Sequence, residues 1–122
     1  MNTIKLTVWG RAFELKIVFD CYSGENTTEN QRQALGNFLE CSSILDNALG
    51  HVFDYCKKHD SNIQTDNIFK YVIPQSLFIQ RTKDNSRVVA LMGAFKLDLE
   101  HGIAVVFKNE TFWKIGSQDI VL

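Results

Sequence analysis

The sequence predicts an α+β domain, in which one antiparallel β-sheet carries helices packed on one face. Strand-like runs occupy both ends of the chain: residues 3–20 alternate apolar and polar side chains, and residues 69–122 hold further runs separated by turns. Between these regions, apolar residues recur every three or four positions, as on one face of an α-helix. A length of 122 residues suits one domain, so we expect residues 1–122 to fold as a unit.

The N-terminal segment predicts a β-hairpin. Residues 3–9 and residues 12–20 both alternate apolar and polar side chains. Gly10 and Arg11 lie between the two runs, and a glycine first in a two-residue loop is typical of a type II′ turn. We therefore expect two antiparallel strands joined by Gly10 and Arg11.

A helical spacing of apolar residues follows this hairpin. The stripe predicts one helix near 28–40 and a longer one near 43–58, with a single bent helix as the alternative. A capping box is a reciprocal pair of hydrogen bonds at a helix start. Two pairs suit it here, Thr28 with Gln31 and Asn26 with Glu29.

The C-terminal half predicts four strands separated by turns. Pro74 has no amide hydrogen, which restricts its run to an edge strand or a bulge. Turns are expected at 82–86, at 98–102 and at Asn109–Glu110. The order of elements is then β-β-α-α-β-β-β-β. Because short turns join antiparallel neighbours, we expect the sheet to be antiparallel.

Two of these strands are apolar on both faces, which is typical of strands covered on both sides. The helices are expected to cover only one side of the runs 88–95 and 103–107. The other side would need a curled sheet, a partner or a second copy of the chain, so a homodimer through this face is one prediction. Its residues are Val88, Ala90, Met92, Ala94, Ala104 and Val106.

Composition favours a cytoplasmic protein that binds neither membranes nor nucleic acids. No apolar run approaches the roughly 20 residues of a membrane span, and the first residues lack a secretion signal. The net charge of −1 argues against a protein that neutralises phosphates. Cys21, Cys41 and Cys56 are odd in number and are not closely paired, so we expect reduced thiols, the last two buried.

The middle of the chain forms an acidic block. Residues 20–56 hold six carboxylates against Arg32 alone, a local charge of −5. This pattern indicates either a solvated helix face or a surface that attracts a basic protein partner. The candidate partner-binding residues are Tyr22, Glu25, Glu29, Glu40, Asp46, Asp54 and Tyr55.

One short stretch carries residues typical of metal or acid–base chemistry. Asp98, Glu100 and His101 lie within four positions and precede Gly102. Strand-like alternation would send His101 to the side opposite both carboxylates, whereas a metal site needs at least three converging ligands. The simpler interpretation is a turn in which Gly102 has a positive φ and the carboxylates accept backbone amide hydrogen bonds. We predict no catalytic residue, metal or cofactor.

Three stretches carry a resemblance to a group of small bacterial domains of unknown function: YVIPQSLFIQR, VVALMGAFKLDLEHGIAVVFKN and KIGSQDIVL. The shared features are an acidic-His-Gly turn, a glycine-bearing apolar strand and an IG-x-QD ending. Such domains are similar in size and setting to the immunity proteins of contact-dependent growth inhibition and polymorphic toxin systems. The resemblance implies a non-enzymatic protein that binds and neutralises a cognate toxin domain. The alternatives are a small enzyme using Asp98, Glu100 and His101, or a structural homo-oligomer.

Overall fold

The computed structural model describes residues 3–20, 27–41 and 43–121. The strands are β1 (Thr3–Val8), β2 (Arg11–Phe19), β3 (Val72–Ile79), β4 (Val88–Phe95), β5 (Ile103–Lys108) and β6 (Thr111–Gly116). The helices are α1 (Glu29–Glu40) and α2 (Ser43–His59), with short 3₁₀ helices at Ile68–Lys70 and Gln118–Ile120. The α+β class and the predicted order of strands and helices are confirmed.

The six strands form one sheet in the order β1-β2-β3-β4-β5-β6. Four of the five neighbouring pairs are antiparallel, whereas β2 and β3 are parallel. The prediction of a fully antiparallel sheet was therefore wrong. Strands joined by short turns do pair antiparallel in this sheet, but the connection from β2 to β3 contains both helices. A helical crossover returns the chain to the end of the sheet where β2 began, so β3 runs in the same direction.

Both helices pack on the same face of the sheet. Their buried residues Ala34, Phe38, Leu45 and Val52 belong to one core with the strand residues that face them. Thr28 and Gln31 form the predicted capping box at the start of α1. Gln31 is buried, and its Nε2 donates to the carbonyl oxygens of Asp20 at 2.8 Å and Ile79 at 3.2 Å. The cap thereby fastens α1 to the ends of β2 and β3.

The opposite face carries a second, smaller core. Ile120 and Val121, from the end of the chain, pack against six buried side chains of the sheet. These are Phe78, Val88, Ala90, Met92, Ala104 and Val106. The sequence predicted that a curled sheet, a partner or a second copy would cover this face. In the structure, Ile120 and Val121 of the same chain pack on it. Five of the six residues behind the homodimer prediction are therefore buried, and the sixth, Ala94, is half-buried. The oligomeric state stays a prediction.

Local geometry corrects the first hairpin and confirms the Pro74 bulge. Trp9 and Gly10 form the β1–β2 loop at φ 52° and 87°, and Arg11 is already in β2. Positive φ at both loop residues is typical of a type I′ turn, so the predicted Gly10–Arg11 type II′ loop was wrong. The Trp9 indole Nε1 donates to the Leu45 carbonyl oxygen at 2.8 Å, which stabilises this unusual conformation. Pro74 lies at a bulge, although β3 is a central strand.

Candidate functional site

The acidic corner between β4 and β5 is a tight turn. The Asp98 amide donates to the Phe95 carbonyl oxygen at 3.0 Å, and the Gly102 amide donates to the Asp98 carbonyl oxygen at 3.0 Å. Gly102 has φ 64°, in the left-handed region that favours glycine. The predicted turn and its positive φ at Gly102 are confirmed.

His101 faces Asp98, contrary to the predicted separation. Its Nδ1 lies 3.0 Å from each carboxylate oxygen of Asp98, and its amide donates to Asp98 Oδ1 at 3.4 Å. Strand-like alternation does not apply here, because these residues are folded into a turn, where successive side chains do not point to opposite faces. The hydrogen bond and the charge of Asp98 raise the pKa of His101. Glu100 remains exposed to solvent.

The C-terminal segment is fastened to this corner. The Gln118 amide donates to the His101 carbonyl oxygen at 3.0 Å, and its side-chain Nε2 donates to the Gly93 carbonyl oxygen at 2.9 Å. A Cβ atom on Gly102 would lie only 2.6 Å from Gln118 Nε2, so glycine is needed for this approach. A hydrogen bond from Ser117 lowers the pKa of the neighbouring Asp119. The glycine-bearing strand, the turn and the IG-x-QD ending therefore meet at one place.

Helix α2 supplies an aromatic wall behind the corner. The ring of Tyr55 lies 5.4 Å from the ring of Phe95, and His59 meets Phe95 edge-on at 5.0 Å. Burial, followed by the charge of Asp98, raises the pKa of Tyr55. Tyr55 is half-buried and therefore offers only part of its ring to a partner.

The corner does not extend into a larger group of metal-ligating side chains. Within residues 3–20, 27–41 and 43–121, no three His, Cys, Asp or Glu side chains converge to hold an ion. Burial raises the pKa of the Cys56 thiol to about 11, so it is protonated at neutral pH. Its predicted burial is confirmed, whereas Cys41 is exposed at the end of α1, contrary to expectation. No helix in the described ranges is long and apolar enough to cross a bilayer.

The acidic candidates lie on the outer surface of the helices. Glu29 pairs with Arg32 at 3.1 Å on α1. Glu40 ends the same helix, while Asp46 and Asp54 are exposed on α2. These last three carboxylates have no cationic partner in the part of the chain that the structure describes. Two further candidates, Tyr22 and Glu25, lie outside the described residues.

A shallow groove between α2 and the edge strand β6 was not predicted. Its centre is a parallel stack of His51 on Phe112, with ring centroids 4.1 Å apart and planes within 3°. Its charged lining consists of Asp54 and two lysines, Lys58 and Lys114. Asp46 instead lines a separate depression beside β1. The groove joins residues some 60 positions apart, a long-range pairing that periodicity does not reveal.

Comparison with known proteins places the chain in a family. The sequence profile of a family described as "Domain of unknown function (DUF6985)" matches residues 1–122. The chain belongs to the DUF6985 family. No curated protein and no solved structure matches it.

This DUF6985 domain has two candidate sites with different chemistry. One is the Asp98–His101 corner, where a paired imidazole and carboxylate are suited to proton transfer. The other is the outer surface of α2, where Asp46 and Asp54 are exposed, and its groove with β6, where Asp54, Lys58 and Lys114 lie beside an aromatic stack. The exposed carboxylates of α2 suit recognition of a cationic protein surface.

Proposed function

We propose that this protein is an immunity protein, which binds a cognate bacterial toxin domain in the cytoplasm and neutralises it. One observation carries the proposal: Glu40, Asp46 and Asp54 are exposed on the helices, and none has a cationic partner among the described residues. The resemblance of the segments around the acidic corner and the IG-x-QD ending to small bacterial domains supports the same proposal.

Unpaired carboxylates affect both the rate of binding and the choice of partner. Their negative field attracts a basic protein surface and raises the association rate, and it repels acidic competitors. A specific complex of this kind buries about 1,200–2,000 Å² in total. In this proposal the exposed side of α1 and α2 forms the contact, with Tyr55 as a partly accessible aromatic side chain.

A growth-rescue experiment tests this function. The gene adjacent to this one in the native genome is expressed in a laboratory bacterium, with and without the present protein. We expect the neighbouring product to arrest growth alone, and co-expression to restore growth through a complex that co-purifies. A neighbouring product that is harmless, or one that remains toxic during co-expression, would contradict the proposal.

The contact between His101 and Asp98 favours a second candidate, an acid–base enzyme. An imidazole oriented by a carboxylate 3.0 Å away resembles the base–orienter pair of many hydrolytic sites. One variant separates the candidates. Replacing His101 by Gln should leave toxin neutralisation unchanged if the protein is a binding module, whereas an enzyme would lose its function even at pH 8.5, where the melting temperatures of the variant and the native protein should agree.

A further inference from the structure

The last strand of the sheet, β6, presents a tryptophan to solvent. One side of β6 has no neighbouring strand. Trp113 lies at a bulge, between Phe112, which pairs with Phe107, and Lys114, which pairs with Val106. Its side chain is 45% exposed, and only two other large apolar side chains are exposed among the described residues. A bulge re-aims a side chain, and the side chain re-aimed here is the exposed indole.

Two lysines lie against this indole. The Nζ atoms of Lys108 and Lys114 are 4.8 Å and 4.3 Å from the centroid of the Trp113 ring. Neither ammonium has a carboxylate partner in the part of the chain that the structure describes. A cation–π contact at an exposed site is weak, so either ammonium can turn toward an anion at little cost.

The indole N–H adds a third hydrogen-bond donor. The Nε1 atom of the other tryptophan, Trp9, donates to the Leu45 carbonyl oxygen at 2.8 Å. Trp113 Nε1 has no acceptor among residues 3–20, 27–41 and 43–121. The side chains of Trp113, Lys108 and Lys114, which we call the Trp113 cluster, therefore offer donors and no acceptor. This combination suits a ligand that carries negative oxygen atoms beside an apolar group.

The groove beside the Trp113 cluster also favours an anion. Lys114 lines the groove together with Lys58 and Asp54, so that two ammonium groups lie there with one carboxylate. Lys58 has no carboxylate partner in the described ranges either. The lysines therefore leave a positive charge at this edge of the sheet.

The other carboxylates near β6 are already engaged. Glu110 accepts two hydrogen bonds from the Arg87 guanidinium, at 2.8 Å and 3.0 Å. Asp84 interacts with the charge of Lys108, but its nearest partners are the amide and the hydroxyl of Ser86. These two carboxylates leave the ammonium groups of the Trp113 cluster available to a partner.

We infer that the Trp113 cluster is a docking site for an acidic segment of a partner protein, in which carboxylates flank an apolar side chain. The apolar side chain packs on the indole, and the carboxylates accept hydrogen bonds from Lys108 and Lys114. Tryptophan is among the residues that most often dominate the energy of an interface. The inference goes beyond the proposed function, because the surface is a different one and the partner has the opposite charge.

Two other occupants fit this edge less well. A nucleic-acid strand carries a phosphate at every nucleotide, so a strand that followed the groove would bring phosphates against Asp54. A second copy of the chain that paired its own β6 with this one would bring two sets of lysines together. A peptide can place its carboxylates only where the ammonium groups lie.

A peptide-binding experiment on the intact protein tests the inference. The probe is an octapeptide of alternating glutamate and leucine, compared with alternating lysine and leucine and with an oligothymidylate of eight nucleotides. Since the chain has two tryptophans, the indole resonance of Trp9 is an internal control. We expect the glutamate peptide alone to shift the Trp113 indole resonance and the amides of residues 108–114. No shift at Trp113, an equal shift with the lysine peptide, or tighter binding of the oligothymidylate would overturn the inference.

Matched lysine variants test the charges. Lys108→Gln with Lys114→Gln removes two ammonium groups from the Trp113 cluster, and Lys83→Gln with Lys96→Gln removes two exposed ones elsewhere. We expect the glutamate peptide to bind the first double variant about tenfold more weakly and the second as it binds the native protein. Equal affinity for the two double variants would refute the docking site.

A second pair of variants tests the indole. Trp113→Ser removes it, and Leu99→Ser removes another exposed apolar side chain, which is 74% exposed. We expect the glutamate peptide to lose binding only in Trp113→Ser, and unchanged binding there would refute the inference. Circular dichroism checks the fold, and if Trp113→Ser is unfolded, the lysine variants decide the outcome. Sedimentation of the native protein is the last control: self-association that Lys108→Gln with Lys114→Gln abolishes would assign the site to a second copy and refute the partner.

Discussion

The side chain of Gln118 lies over Gly102 and donates a hydrogen bond to the Gly93 carbonyl oxygen 2.9 Å away. This contact fixes the position of the C-terminal segment, whose Ile120 and Val121 cover the second core of the sheet. The turn, the strand and the ending of the chain are thus parts of one structural joint. Their main effect is on stability, and the variants below measure it.

Replacing Gly102 by Val should destabilise the fold by about 1 kcal/mol or more. Two causes act together: a β-branched residue avoids the observed φ of 64°, and its Cβ would lie 2.6 Å from Gln118 Nε2. Chemical denaturation measures the change. Gly36→Ala is the control, because Gly36 is helical and has open space. That variant should be stabilised by up to about 1 kcal/mol. A Gly102→Val variant as stable as the native protein would show that the close contact between Gly102 and Gln118 does not stabilise the fold.

Replacing Gln118 by Ala should cost about 1–2 kcal/mol, because the Gly93 carbonyl oxygen loses its side-chain donor. The same change removes the atoms that obstruct a side chain at position 102. The double variant Gly102→Ala, Gln118→Ala should therefore lose less stability than the sum of the losses in the two single variants. Denaturation of the two single variants and the double variant gives the coupling energy. Strict additivity would show that the two residues do not interact.

The His101–Asp98 pair should make stability depend on pH. The pKa of His101 is higher in the folded protein than in the unfolded chain, where it is about 6.5. The contribution of the His101–Asp98 pair to the free energy of unfolding is therefore fully present below about pH 6.5, and it is lost as the pH rises through the folded pKa. Asp98, Glu100 and Asp119 all favour the protonated imidazole. Melting temperatures of the native protein and of His101→Gln, compared between pH 5.5 and 8.5 at low salt, should converge at high pH. A difference that grows with pH would contradict this sign. The effect should be small, because the pair is exposed to solvent.

The two described cysteines should differ in reactivity. Cys56 is buried, with a thiol pKa of about 11, whereas Cys41 is exposed. Treatment of the native protein with iodoacetamide at pH 8, followed by peptide mass spectrometry, should modify Cys41 and leave Cys56 unmodified. Denaturant should make both react. Rapid modification of Cys56 without denaturant would show that α2 opens readily or that its thiol is activated.

Local sequence signals predicted the helices well. The Thr28–Gln31 capping box and the apolar stripe gave α1 and α2 to within a residue or so, because both signals act between residues three or four positions apart. The Asn109–Glu110 turn was found for the same reason, and both of its residues have positive φ. The Pro74 bulge followed from the missing amide hydrogen alone.

Features set by distant contacts were missed. The Trp9–Gly10 turn depends on the Trp9 hydrogen bond to Leu45, 36 residues away. The packing of Val121 on the second sheet face depends on where the segment after β6 lies in the fold. The groove that joins His51 to Phe112 requires knowing which strand lies beside α2. No pattern in the local sequence contains this information. The sequence therefore identified the acidic candidates but not where they lie relative to one another.

The most direct test of the proposed function is the dissociation constant between this protein and the product of the adjacent gene, which the proposal takes to be the toxin. Calorimetry should compare the native protein with a triple variant of the helices, Glu40→Gln, Asp46→Asn, Asp54→Asn. A second triple variant removes the same charge elsewhere, through Glu14→Gln, Asp66→Asn and Glu100→Gln. We predict that binding weakens about 100-fold in the helix variant and little in the control. Equal affinity in both variants, or no binding by the native protein, would contradict the account.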